Sequence, residues 1–339
     1  MSGGVDSSVA ALLLKNSGYD VYGLTLRLCC SDRSIGEEQN ELDAAAVCKT
    51  LGIPFYTADY RNEFKNEVVG EFVAAYERGE TPNPCVICNR KVKFEFMLRE
   101  ADKLGISKIA TGHYSKIINV NGRYAVCKGV DVKKDQSYML VNLSQEQLSR
   151  TLLPLGGMTK EEIREYALSN SLPVAHKKDS QDICFIPDGD YAGFIENFTK
   201  KEYPAGEFVD ASGTVLGTHR GIIRYTTGQR KGLGIAFSTP LYVIDKDVKS
   251  NRVILGANDS LFSDECTVTD INVQSLEGIT EPIRALVKVR YSHSAAAATV
   301  YPEKEKLRIK FDTPQRAITR GQTAAFYDGE ILIGGGKIE

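Results

Sequence analysis

Met1-Ser2-Gly3-Gly4-Val5-Asp6-Ser7-Ser8 opens the chain and decides how the rest is read. Two adjacent glycines let the backbone turn tightly and present successive N–H groups as a nest for an anion. Ser7 to Ser17 (SSVAALLLKNS) reads as a short amphipathic helix ended by Gly18, and its positive end points at the same nest. Ser2 and Ser7 add hydroxyl donors. Asp6 is placed to hold Mg²⁺ or to cap the helix. No Gly-Lys-Ser/Thr follows, so this is not the Walker loop. The plainer alternative is a polar turn with an N-cap.

Outward from this loop, strands and helices alternate. Tyr19–Leu28 and Ile53–Ala58 read as strands, Glu37–Leu51, Phe64–Arg78 and Lys91–Leu104 as helices, and Lys108–Gly112 as a short buried strand. This alternation predicts an α/β doubly wound parallel sheet, whose ligands bind at the carboxyl ends of the strands. After about residue 200, turns and short alternating segments such as Ala285–Tyr291 replace helical periodicity. Three domains are expected: a catalytic domain over 1–197, a small β domain over 198–263, and a β-barrel over 264–339.

The 339 residues carry a net charge of −2, with eight cysteines and no tryptophan. This composition excludes disordered and collagen-like chains. No apolar run approaches a membrane span and no signal peptide is legible, so a cytoplasmic protein with no membrane partner is expected. The near-zero charge argues against nucleic acid only as a global sum. From Thr81 to Arg150 there are twelve basic and six acidic residues, and His219–Lys231 is basic with no acid. Such stretches suit an RNA backbone.

Two cysteine segments stand out. Thr81-Pro82-Asn83-Pro84-Cys85-Val86-Ile87-Cys88-Asn89-Arg90-Lys91-Val92-Lys93-Phe94 brings two prolines to the start of a helix, with basic residues beside Cys88. A thiol at a helix N-terminus beside cations is expected to have a lowered pKa. Cys184 lies in Asp179-Ser180-Gln181-Asp182-Ile183-Cys184-Phe185. Cys29, Cys30, Cys48, Cys127 and Cys266 read as structural.

The Ser-Gly-Gly-Val-Asp-Ser-Ser stretch resembles the pyrophosphatase loop (PP-loop) of the adenine α-hydrolase superfamily, which uses ATP to adenylate a carbonyl oxygen. Pro82-Asn83-Pro84 with Cys88-Asn89, Ala110–Tyr114, Lys134–Tyr138, Ser180–Phe185, Thr227–Gly234 and Val289–Tyr291 narrow this in order along the chain. Together they resemble the bacterial tRNA-specific 2-thiouridylase family. The resemblance implies a sulfurtransferase in which ATP, with Mg²⁺, adenylates O2 of the wobble uridine U34 of tRNA. Sulfur from a cysteine persulfide then gives 2-thiouridine, AMP and pyrophosphate. It implies Cys88 as nucleophile and Cys184 as persulfide carrier, ending in a Cys88–Cys184 disulfide. It implies ATP contacts at Ser2, Gly3, Gly4, Val5, Asp6, Ser7, Leu26 and Gly112. The implied tRNA contacts, around the anticodon stem-loop, are Asn83, Pro84, Cys85, His113, Lys134, Asp135, Gln136, Arg290, Tyr291 and Gln322. A sulfur-relay protein or cysteine desulfurase would donate the persulfide.

Two departures qualify this. In the superfamily a strand runs directly into the loop, whereas here nothing precedes Met1, so an internal methionine or an absent native N-terminus is expected. Much of the family has Asp where this chain has Cys85. Cys85, Cys88 and Cys184 could therefore hold a [4Fe–4S] cluster with one iron open to sulfide. Alternatively, the persulfide route runs without metal, which is the preferred reading. Rival readings are another PP-loop ATP-dependent ligase, or a catalytically impaired tRNA-binding protein if the strand is truly absent.

Overall fold

The structure is a computed structural model that describes residues 1–28, 35–178 and 183–339. Cys29, Cys30 and the Asp179–Asp182 part of the second cysteine motif lie outside the described residues. In chain order the first part contains α1 (Val5–Asn16), β1 (Gly23–Arg27), α2 (Ile35–Leu51), β2 (Phe55–Asp59), α3 (Arg61–Phe64), α4 (Gly70–Glu77), α5 (Pro84–Cys88) and α6 (Phe94–Lys103). Then come β3 (Ile109–Ala110), β4 (Ser115–Val120), β5 (Arg123–Lys128), α7 (Gln145–Ser149), β6 (Thr151–Leu152), α8 (Lys160–Ser169) and α9 (Tyr191–Thr199). Strands β1 and β2 pair in parallel, as do β3 and β6. The α/β class with parallel strands expected from the alternation is present.

The helices predicted over Phe64–Arg78 and Lys91–Leu104 each contain a feature that periodicity does not reveal. Lys65–Val69 and Asn89–Lys93 are π-helical turns joining α3 to α4 and α5 to α6. Such wide turns cluster at functional sites, and the second directly follows Cys88.

The rest is β. Strands β7 (Gly206–Val209), β8 (Val215–His219), β9 (Tyr242–Asp247) and β10 (Arg252–Gly256) form a four-stranded sheet in the order β8-β7-β10-β9. Strands β11 (Phe262–Val273), β12 (Ile283–Lys288), β13 (Ala296–Glu303), β14 (Lys306–Arg316), β15 (Thr323–Asp328) and β16 (Ile331–Ile338) close into a barrel through the β11–β16 pairing. The β4–β5 hairpin, which comes from the first domain, continues the barrel sheet where Cys127 pairs with Ile331. Closure leaves the barrel without free edges.

Shared cores fix the three parts. Phe72 and Tyr76 pack with Phe208, Val243 and Val253 of the four-stranded sheet. Val86 and Phe94 pack with Ala325, Tyr327 and Leu332 of the barrel. Buried Gln274 of the barrel donates to the carbonyls of Leu140 and Val141 and accepts from the Val126 N–H. An amide sealed from water must find such partners, so these bonds set one docking geometry. No helix among the described residues is long and apolar enough to cross a membrane.

Candidate active site

Gly3 adopts φ +68, and a Cβ there would lie 2.2 Å from the carbonyl oxygen of Asn40 on α2. Only glycine lets the loop sit this close to α2. Gly4 is the N-cap of α1. The Ser2 and Ser7 hydroxyls lie 3.1 Å apart, and Ser8 donates to the Gly4 carbonyl. Met1 lies along β1: its nitrogen donates to the Leu24 carbonyl, and Thr25 Oγ1 donates to the Met1 carbonyl at 2.7 Å. Gly112, just beyond β3, abuts the loop, because a Cβ there would lie 2.8 Å from the Asp6 carbonyl carbon. Leu26 of β1 packs on the core that contains Cys88. Gly112 and the loop thus touch just beyond β3, while Leu26 lies near the carboxyl end of β1.

Asp6 does not cap α1, which has no side-chain cap. Its Oδ1 instead accepts from Tyr114 Oη at 2.6 Å and from Lys160 Nζ at 2.7 Å. Lys160 is 8% exposed and opens α8 behind a Thr159/Glu162 capping box. Lys177 donates to the Gly3 carbonyl at 2.9 Å and to Asn40 Oδ1 at 2.7 Å, and it pairs with Asp43. Sequence reading missed both lysines. The Thr-x-x-Glu box was the legible signal for α8, whereas nothing local marks Lys177.

In the cysteine segment Asn83 caps α5, its Oδ1 accepting from the Cys85 N–H at 3.1 Å, with Pro84 in the first helical turn. Cys85 is exposed and Cys88 is 8% exposed. The expected lowering of the Cys88 pKa is not found. Cys88 is the last residue of α5, and burial pushes its thiol up, outweighing the Lys93 ammonium that opposes the shift. Of the basic neighbours, Arg90 pairs with Asp270 and Lys91 with Glu67, each at 3.2 Å. Cys184 is exposed, and the next residue, Phe185, enters the core that holds Cys88, packing on Phe64, Phe72 and Phe194.

His113 is largely enclosed. It does not face an open surface: the ring is 9% exposed, lies against Phe94, and has Nδ1 2.8 Å from Thr111 Oγ1. Burial lowers its pKa to about 3, so the ring is neutral and offers no charge to a phosphate.

The barrel forms the facing wall. Gln322 donates to the Thr81 carbonyl and Arg290 to the Ala317 carbonyl. Tyr291 lies 6.0 Å from the Tyr138 ring, with Lys288 Nζ 5.2 Å above it. Burial raises its pKa, and Asp135, Lys134 and Cys85 all lie within its electrostatic reach. In the Lys134–Gln136 loop, Asp135 accepts from Gly129 and Ser137, and Gln136 accepts from the Tyr114 N–H. Val86, Tyr138 and Tyr291 share one core, so three segments far apart in sequence meet beside Cys85.

Among the described residues no three His, Cys, Asp or Glu side chains are grouped to hold a metal ion. Cys85 and Cys88 do not form a three-thiolate set with Cys184 in this arrangement.

Comparison with known proteins sharpens this geometry. The family described as tRNA methyl transferase HUP domain matches residues 1–188. The family described as tRNA methyl transferase PRC-barrel domain matches 192–257, and that described as aminomethyltransferase beta-barrel domain matches 263–338. Relatives named tRNA-specific 2-thiouridylase MnmA are 45% identical in Lachnoclostridium phytofermentans and 47% in Acetivibrio thermocellus, covering 100% of this chain and 98% of each relative. The chain belongs to the tRNA-specific 2-thiouridylase family. A further relative, tRNA-specific 2-thiouridylase MnmA 2 of Clostridium tetani, is 48% identical over 100% of this chain and 97% of its own length. In this member of the family the helix carrying Cys85-x-x-Cys88 packs on the barrel through Val86.

Proposed function

We propose that this chain is a tRNA-uridine 2-sulfurtransferase working by adenylation and persulfide transfer. Two contacts support the reading: the glycine phosphate loop abuts Gly112, and the Cys85–Cys88 helix packs through Val86 in the core that Tyr291 of the barrel flanks. Uracil C2 is a weak electrophile with a poor leaving oxygen, so a route that first converts O2 to a phosphate ester suits a site pairing ATP with thiols.

Uridine O2 attacks the α-phosphorus, pyrophosphate leaves with its electron pair, and the N3 proton is lost. The terminal sulfur of a Cys184 persulfide attacks C2, and AMP leaves with the C2–O electrons. The Cys88 thiolate then attacks Cys184 Sγ. The broken S–S pair stays on the base sulfur, N3 regains a proton, and a Cys88–Cys184 disulfide remains. The incoming persulfide is supplied by a sulfur-relay protein or cysteine desulfurase. Mg²⁺ enters as the counter-ion of ATP, since Asp6 is already engaged by Lys160 and Tyr114. The proposed tRNA surface comprises Asn83, Pro84, Cys85, Lys134, Asp135, Gln136, Arg290, Tyr291 and Gln322. His113 shapes it from beneath. The base must leave the anticodon stack to reach the thiols. The proposed divisions remain 1–197, 198–263 and 264–339.

The test is mass spectrometry of tRNA nucleosides from a strain lacking this gene as its sole copy. Loss of 2-thiouridine, restored by the wild-type chain and not by Cys184→Ser, is expected. Unchanged 2-thiouridine in the deletion strain would refute the reading.

A further inference from the structure

We infer that Lys177 is a positioning residue for ATP: by holding the Gly3 carbonyl it aims the Gly4 N–H at the phosphates of the nucleotide. The inference deepens the function proposed above and rests on its ATP-dependent step.

The peptide between Gly3 and Gly4 has two ways to face. It is trans, so its C=O and N–H point in opposite directions. Glycine on both sides leaves no Cβ to oppose a flip of the peptide plane. One orientation offers an N–H donor to an anion, and the flipped one turns a carbonyl oxygen toward it. Among the described residues the Gly4 N–H meets no acceptor, and no side chain caps α1, so the donors at this end of the helix are open to a ligand.

Lys177 fixes the choice. Its Nζ donates to the Gly3 carbonyl at 2.9 Å, to Asn40 Oδ1 at 2.7 Å and to Asp43 Oδ2 at 2.5 Å. These acceptors take up all the donors of an ammonium. Asn40 and Asp43 both belong to α2, and the Asn40 carbonyl oxygen would lie 2.2 Å from a Cβ on Gly3. The loop is therefore seated on α2 and tied to it through one side chain. The backbone of Lys177 is itself anchored, its N–H donating to the Val174 carbonyl at 2.9 Å. With the Gly3 carbonyl drawn to Lys177, the Gly4 N–H faces the opposite way.

The effect of Lys177 is one of orientation rather than of net charge, because the Asp43 carboxylate pairs with its ammonium. A backbone N–H held toward a phosphate makes a charge-assisted hydrogen bond, and it needs no rearrangement when the ligand arrives. The flipped peptide would set a carbonyl dipole against the same charge. A lysine that merely tied α2 to the domain would act differently: its loss would weaken the fold without distinguishing the phosphate part of a ligand from the rest.

The experiment measures equilibrium binding of ATP and of adenosine to the full chain, without tRNA. Lys177→Met is expected to raise the dissociation constant for ATP about tenfold while that for adenosine stays within about twofold of wild type. Lys177→Arg should recover part of the ATP affinity. An ATP dissociation constant within about threefold of wild type in Lys177→Met overturns the role of Lys177 alone, and so does an equal loss for ATP and adenosine. A wild-type chain that binds ATP no more tightly than adenosine overturns the phosphate role of the loop, and the function proposed above with it. Should Lys177→Met not fold, Lys177→Gln carries the same comparison at the same thresholds.

Discussion

The side-chain amide of Gln322 donates a 2.7 Å hydrogen bond to the carbonyl of Thr81, while the Thr81 N–H donates at 2.8 Å to the carbonyl of Arg320. The barrel thus grips both faces of one residue's backbone shortly before Pro84, where the cysteine helix begins. Between the two bonds Gly321 lies at φ +89, and a Cβ there would meet Glu80 Cβ at 2.8 Å and the Thr81 nitrogen at 3.0 Å.

Gly321→Ala should therefore be worse than Gln322→Ala. Removing the amide costs one hydrogen bond, about 1 kcal/mol. The alanine adds left-handed strain of about 1–2 kcal/mol and a clash that forces the barrel off the segment. Chemical denaturation should rank the two variants in this order, and tRNA affinity should fall with them. Equal stability would show that this contact does not hold the barrel in place.

Lys160→Met should raise the KM for ATP about tenfold, because it leaves the Asp6 carboxylate uncompensated inside the phosphate loop. Lys160→Arg should recover part of the loss. An ATP titration of both variants at constant tRNA measures this; tRNA affinity itself should not move.

The Cys88 thiol is held above its ordinary range by burial. Sulfur transfer that depends on its thiolate should climb about tenfold per pH unit from about pH 7 to about 8.5, with no plateau. Rapid-quench measurement of 2-thiouridine from preloaded persulfide enzyme gives the profile. A plateau near neutrality would mean that tRNA binding itself creates the thiolate.

His113 gives a pH dependence of stability rather than of rate. Its folded pKa, about 3, lies below its ordinary 6.5, so between these values the unfolded chain binds the extra proton. Stability is then intact above about pH 6.5 and lost as the pH falls toward 3, by at most about 1.4 kcal/mol per unit. Denaturant melts at about pH 7 and 4.5 should show this slope in the wild type and a shallower one in His113→Gln.

Much of this site was legible because its information is local. Gly3 and Gly4 announced the phosphate loop through backbone freedom. The two prolines before Cys88 marked the start of α5, and alternating strands and helices marked the α/β class. The Cys88 ionisation was misread because burial raises its thiol, and sequence proximity to Arg90 and Lys91 shows neither that burial nor where their charges go. Both are drawn away by Asp270 and Glu67 from distant parts of the chain. The enclosure of His113 against Phe94 is likewise set by packing that its motif does not record.

By itself the sequence determined the features that steric rules and short-range order dictate: a glycine nest ahead of a helix, a proline-led helix start, parallel strands and a β-rich second half. Only the tertiary structure decided which charges survive near the thiols, that burial outweighs them at Cys88, and that β4 and β5 join a barrel built some two hundred residues later. The physical reason is that desolvation and ion pairing depend on distance in space. Closing the long loops between Asp6 and Lys160, or between Thr81 and Gln322, sets those distances, and no local pattern records them.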